Sequence, residues 1–179
     1  FKAISPVPSV FGRMQFYSFW CLGQENALEY VHMKVILQKV TEASVSVSEE
    51  VIGQIETGYL LFIGVITGDT SAHAALLAEK IVKTRLFDGE NGKMNDRSIL
   101  DIGGEILVVS QFTLAGTLQK GNRPDYSGAA APDDAKVLYE YFIKKLKELG
   151  VETVEAGVFG AYMDVSLKND GPVTLILDR

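Results

Sequence analysis

Two short stretches hold the residues whose types and spacing could do chemistry. The first is Ser110-Gln111-Phe112-Thr113-Leu114, where the apolar run "EILVVSQFTL" passes abruptly into small polar residues. Read plainly, it is a strand end capped by a serine. Read chemically, it is a row of backbone N–H groups at a strand terminus, available to a carbonyl oxygen or an oxyanion. The second is Asn169-Asp170-Gly171-Pro172-Val173-Thr174. Met163, Val165 and Leu167 before it and Val173, Leu175 and Leu177 after it alternate as strands do. Asp170-Gly171 suits a hairpin turn, but Pro172 follows at once and has no N–H to give to a ladder. Either the proline opens the second strand, or the backbone of Gly171-Pro172 is presented to something else.

Side-chain chemistry is scarce by comparison. A Ser-His-Asp or Cys-His arrangement needs a histidine, and after Met33 the chain has only His73. Flanked by alanines beside a helical apolar stripe, His73 is expected to face solvent without a role. Cys21 is the only cysteine, which excludes an intrachain disulfide and a thiolate metal site. His32 and His73 leave little for a histidine-based centre, so no metal and no cofactor are expected. "GENGKMNDRS" fits neither P-loop nor EF-hand spacing and reads as a surface turn. The net charge of −6 argues against a general polyanion binder, whose affinity comes from many Lys and Arg contacts. A local basic contact with one RNA end remains open.

The elements that must position these stretches begin at Met33. Residues 1–32 are rich in aromatics and lack a sustained period. They are expected to be an extension (a leader, tag or transit segment) without regular structure, and 33–179 a single domain. "KVILQKVTEASVSVS" alternates as a strand, and "VIGQIETGYLLFIGVITGD" reads as two strands broken at Thr57-Gly58, the second buried on both faces. Ala74, Leu77, Ala78 and Ile81 form one stripe of a helix with Asp69 and Thr70 as candidate caps. A second helix opens at Pro132 with Asp133 and Asp134, carries Ala135, Leu138, Tyr139, Phe142, Leu146 and Leu149 on one face, and stops at Gly150. Between them "AGTLQKGNRPDYSGAAAPDD" is a loop long enough to expect function from it. Two strands flanking Gly171-Pro172 complete an α/β domain, mostly β, with two helices packed on the sheet. No apolar run approaches the ~20 residues of a membrane span.

"SQFTL" followed by "N-x-G-P-x-T" resembles the D-aminoacyl-tRNA deacylase (D-tyrosyl-tRNA deacylase) family, and both signatures stand here without substitution. The likeness runs from Met33 onwards through "QKV", "GYLLFIGV", "GKMN", "GEILVVSQFTL", "KGNRPDYSGAA", "LYEYF" and "FGAYMDVSLKNDGPVT". One departure is Lys39, where the family usually has Arg, so that a guanidinium fork becomes a point charge.

The resemblance implies a homodimer of deacylase-like domains that hydrolyses the ester between a D-amino acid and the 3′-terminal adenosine of tRNA, Gly-tRNA included. It implies that the Gly171-Pro172 bond is cis and enters the partner's active site as a chiral gate, with Asn169 and Thr174 beside it. Backbone N–H groups of Gln111, Phe112 and Thr113 would face the oxyanion, with Ser110 and Phe112 shaping the adenosine pocket. Catalysis would use the substrate's own 2′-hydroxyl and a bound water. Lys120 and Arg123 are expected to contact tRNA. The expected location is the cytoplasm, or an organelle if residues 1–32 are a transit peptide. Two rival readings are a non-catalytic tRNA-end or nucleotide-binding module and a related deacylase that edits L-aminoacyl-tRNA.

Overall fold

The computed structural model describes residues 32–119 and 121–178. The expectation for residues 1–32 therefore falls outside the described residues, His32 excepted, and so does the one for Lys120.

A single long strand organises the sheet. β1 (Lys34–Val47) turns through Ser48 and Glu49, both at positive φ, into β2 (Glu50–Ile55) and then β3 (Gly58–Gly64). β2 and β3 lie end to end along the same side of β1, with Val47 opposite Glu50 and Lys34 opposite Gly64. β3 pairs in parallel with β6 (Glu105–Ser110), and β6 in parallel with β7 (Val154–Ala156). On its other side β1 pairs with β8 (Asp164–Asp178) from Ser46↔Asp164 to Lys34↔Asp178. A two-stranded ribbon of β4 (Arg85–Phe87) and β5 (Arg97–Ser98) stands apart.

Both helices cover one face of this sheet. α1 (Ser71–Lys83) and α2 (Pro132–Glu148) lay Ala74, Leu77, Ile81, Tyr139, Phe142 and Leu146 on Val35, Leu37, Tyr59, Leu61, Ile63, Ile106 and Val108. The alternate residues Val40, Val45, Leu60, Leu107 and Val109 form a second buried cluster on the opposite face. That is why β3 and β6 read as unbroken apolar runs: side chains alternate, and both faces are covered. Leu138 and Leu149, the remaining members of the α2 stripe, are only half-buried. No helix among the described residues is long and apolar enough to cross a membrane.

Two expectations need correcting. The chain does not form a hairpin at Gly171-Pro172. Asn169 pairs with Val40 and Thr174 with Gln38, so both halves continue along β1, and Asp170–Val173 bulges out opposite Lys39 alone. His73 is not idle either. As the third residue of α1 it accepts the Thr70 N–H on Nδ1 at 3.3 Å, and the same nitrogen lies 3.2 Å from an Asp69 carboxylate oxygen.

Candidate active site

β6 ends where the sheet runs out of partner. The Gln111 N–H makes the last rung, donating to the Ile63 carbonyl at 2.7 Å. The chain then tightens into one 3-10 turn, Phe112–Ala115, with the Leu114 N–H on the Gln111 carbonyl and the Gly116 N–H on that of Thr113. The first N–H groups of such a turn have no partner inside it. Among the described residues, those of Phe112 and Thr113 make no hydrogen bond. The expected trio of donors is thus a pair, because the Gln111 N–H is committed to the sheet.

Ser110, Gln111 and Phe112 border a cavity of about 640 Å³, with Thr113 next in the chain. Its floor is apolar, from Ile63, Val65, Val109, Ala135 and Tyr139, and its rim carries Ser110, Gln111, Phe112, Tyr126, Phe159 and Tyr162. Tyr139 donates its hydroxyl to the Val108 carbonyl at 2.8 Å, and burial pushes its pKa well above the ordinary tyrosine range. Phe112, 60% exposed, meets Tyr126 edge-to-face at 5.2 Å between ring centres. Among the described lining residues there is no carboxylate, imidazole, amine or thiol. The Thr113 hydroxyl accepts a hydrogen bond from the Gln111 side chain and lies outside the cavity lining. A surface like this can stack a base and donate to an oxygen, but it cannot abstract a proton with a charged side chain.

Tyr126 comes from the long loop, which is tied off by reciprocal hydrogen bonds between Thr117 and Asp125, each 2.9 Å. The Ser127 N–H donates to the Asp125 carboxylate, holding it below the usual carboxylate range. Arg123 lies exposed in the segment between Thr117 and Asp125. Sequence reasoning assigned no role to Tyr126, Phe159 or Tyr162, although "RPDYSG" and "FGAYMD" lie inside segments that carried the resemblance.

Asn169, Gly171, Pro172 and Thr174 lie elsewhere. Asn169 donates from Nδ2 to the Lys39 and Val173 carbonyls, 3.2 Å each, clasping the bulge at its base; its Oδ1 is buried with no partner among the described residues. The Gln38 side chain donates to Thr174 at 3.3 Å. Lys39 pairs with Asp170 at 2.9 Å and sits over the Phe87 ring. The Gly171-Pro172 bond is cis, and Gly171 has φ +117°. Asn169 pairs with Val40, Val40 with Gly58, and Gly58 with Glu105, at the end of β6 opposite Ser110. At strand spacings the bulge is about 17 Å along the sheet and about 14 Å across it from Ser110. None of its residues lines the cavity. The structure therefore brings Ser110 through Thr113 together, brings Asn169, Gly171, Pro172 and Thr174 together, and keeps the two groups apart.

A second cleft of about 610 Å³ lies near Lys39, Arg97, Asp101 and Glu105. Its charged groups are largely engaged: Glu105 accepts the Glu56 N–H, Asp101 accepts Ser98, and Arg97 donates to the Asp88 carbonyl.

Comparison with known proteins agrees with the resemblance. Residues 36–178 match the family profile described as D-Tyr-tRNA(Tyr) deacylase. D-aminoacyl-tRNA deacylases of Thermus aquaticus and Bacillus velezensis are each 55% identical over 146 residues, covering 82% of this chain and 95% and 98% of theirs. A solved structure described as c-Myc DNA Unwinding Element Binding Protein superposes with a TM-score of 0.77 at 39% identity, covering 82% of this chain and 98% of that one. A probable eukaryotic D-amino acid tRNA deacylase, 17% identical, shares the fold with a TM-score of 0.71 over 82% of this chain and 99% of its own. With both signatures intact and the match running the length of its relatives, the chain belongs to the D-Tyr-tRNA(Tyr) deacylase family, hydrolases of the aminoacyl-tRNA ester bond.

Proposed function

We propose that this chain clears D-aminoacyl-tRNA with an active site built from two copies of itself, the cavity beside Ser110 in one and Gly171-Pro172 of the other. The observation that carries this reading is the separation of the two signatures at opposite ends of one sheet. A rigid sheet cannot bring them together within a chain, but a two-fold partner can. β8 supports the same reading. Among the described residues it is hydrogen-bonded on one side only, it has no buried residue over its length, and it exposes Leu167 and Ile176. A fifteen-residue open edge of this kind is a liability unless something covers it.

In this site the terminal adenine stacks on Phe112 and Tyr126, with Ser110 beside the ribose. The ester carbonyl points at the N–H groups of Phe112 and Thr113, which stabilise the oxyanion as water adds. With no acid or base among the lining residues, the neighbouring 2′-hydroxyl of the substrate relays the proton, and the protein contributes position and fixed dipoles. Asn169 and Thr174 hold the gate, and Arg123 and Lys120 meet tRNA phosphates. Glycine, with only hydrogens on its α-carbon, passes the gate.

Two results are expected. Light scattering should find a dimer at all concentrations that show activity; an active monomer would overturn the shared site. Thr113→Ala should keep most of its turnover, because the threonine contributes backbone rather than a nucleophile. A loss of roughly 10³-fold in kcat, about 4 kcal/mol, at unchanged substrate affinity would make its hydroxyl catalytic instead.

A further inference from the structure

We propose that His32, Asp69 and His73 form a binding site for one divalent transition-metal ion of the zinc class. One ligand atom from each of the three lies within 4.8 Å of the others. His32 precedes residues 36–178, the segment that matches the family profile, whereas Asp69 and His73 lie within it.

The framework is already built. The Asp69 side chain is 1% exposed and accepts the Met33 N–H at 2.8 Å and the Ile66 N–H at 2.6 Å. The first bond draws the start of β1 against the start of α1, which sets the His32 ring 4.4 Å from the His73 ring. Hydrogen bonds that orient a ligating carboxylate are the usual outer support of a metal centre.

His73 supplies the second argument. Its Nδ1 faces a donor, the Thr70 N–H at 3.3 Å, and an acceptor, the Asp69 carboxylate at 3.2 Å. One nitrogen cannot serve both. Protonated, it repels the N–H; unprotonated, it opposes the carboxylate lone pair. A cation between Nδ1 and the carboxylate turns both into ligands, the Nδ1 lone pair going to the metal in place of the long contact with the Thr70 N–H. Zinc bonds of about 2.0–2.1 Å at a tetrahedral angle place ligand atoms roughly 3.3 Å apart, close to the separation seen here. Two imidazoles and a carboxylate suit zinc, cobalt or nickel and suit calcium or magnesium poorly. The His32 ring, partly exposed, completes the set by a modest rotation.

The full chain, stripped with a chelator, should be titrated with Co²⁺ and followed by its visible d–d bands. Intense bands that saturate at a single ion per chain and vanish on adding Zn²⁺ are expected. Since the chain has only two histidines, both sets of imidazole NMR signals should move with the metal. His32→Ala and His73→Ala should each weaken binding by about tenfold or more. Cys21→Ser should leave it unchanged. Absence of saturable d–d bands would overturn the site, as would binding by His32→Ala equal to that of the unaltered chain.

Discussion

D-Tyr-tRNA is expected to be hydrolysed about 10⁴-fold faster than L-Tyr-tRNA, a difference of roughly 5.5 kcal/mol. Exchanging D for L at the α-carbon swaps the hydrogen with the side chain while the amino and ester groups stay in place. If the Gly171 and Pro172 carbonyls approach that carbon from the partner, they leave room for a hydrogen and for nothing larger. Such exclusion reaches this magnitude only if the obstacle cannot yield. The bulge meets that condition: Asn169 clasps both of its sides, Gln38 holds Thr174, and Lys39 pins Asp170. Selection by a clash needs no recognition of the side chain. D-Phe- and D-Asp-tRNA should therefore be cleaved as well, and Gly-tRNA measurably. Single-turnover deacylation of the matched D and L substrates checks this, and comparable rates for both would remove the gate from the account.

Gly64→Ala should lower kcat/KM on D-Tyr-tRNA by about 10²-fold while the protein stays folded. An added Cβ there would lie 2.8 Å from the Leu114 Cβ and 3.0 Å from the Gln111 carbonyl oxygen, neither of which is the free end of a flexible side chain. The turn Phe112–Ala115 must therefore shift outward, carrying the N–H groups of Phe112 and Thr113 away from the position proposed for the oxyanion. Overpacking of this kind costs about 1–3 kcal/mol, which a domain of this size tolerates. Deacylation kinetics together with a thermal melt check the result. Unchanged kinetics in the folded variant would mean that the turn does not position the reacting groups.

Much of this was legible in the sequence because it is local. The stripe Ala74, Leu77, Ala78 and Ile81 has a helical period, and all four residues are buried; Gly150 ends α2 at a positive φ. The two signatures were visible because each interrupts an apolar run. Two of the misreadings share one cause, which is that pairing partners distant in sequence leave no local trace. Asp170-Gly171-Pro172 has the composition of a hairpin turn, and only the pairing of β8 with β1 turns it into a bulge. The Gln111 N–H looked available until β3 placed the Ile63 carbonyl opposite it. His73 looked idle because Asp69 and His32 reach it through the turn before α1 and the start of β1, not through the helical pattern.

The central claim is that one chain's gate works in the other chain's pocket, and mixed dimers test it most directly. Gly171→Ala should distort the bulge so that it no longer fits the partner's pocket and obstructs the substrate there, since Gly171 has φ +117° and a Cβ there would lie 2.7 Å from a Val173 methyl. Gly64→Ala disables the pocket and leaves the gate intact; Phe112→Ala is a second pocket-side variant. Each variant alone should be nearly inactive. After the two are unfolded and reassembled in equal amounts, half of the dimers carry one pocket and one gate that are both intact and face each other. Recovery of D-Tyr-tRNA hydrolysis to about a quarter of that of the unaltered protein is the predicted result. A mixture no more active than its two components would show that gate and pocket act within one chain, and would contradict the account.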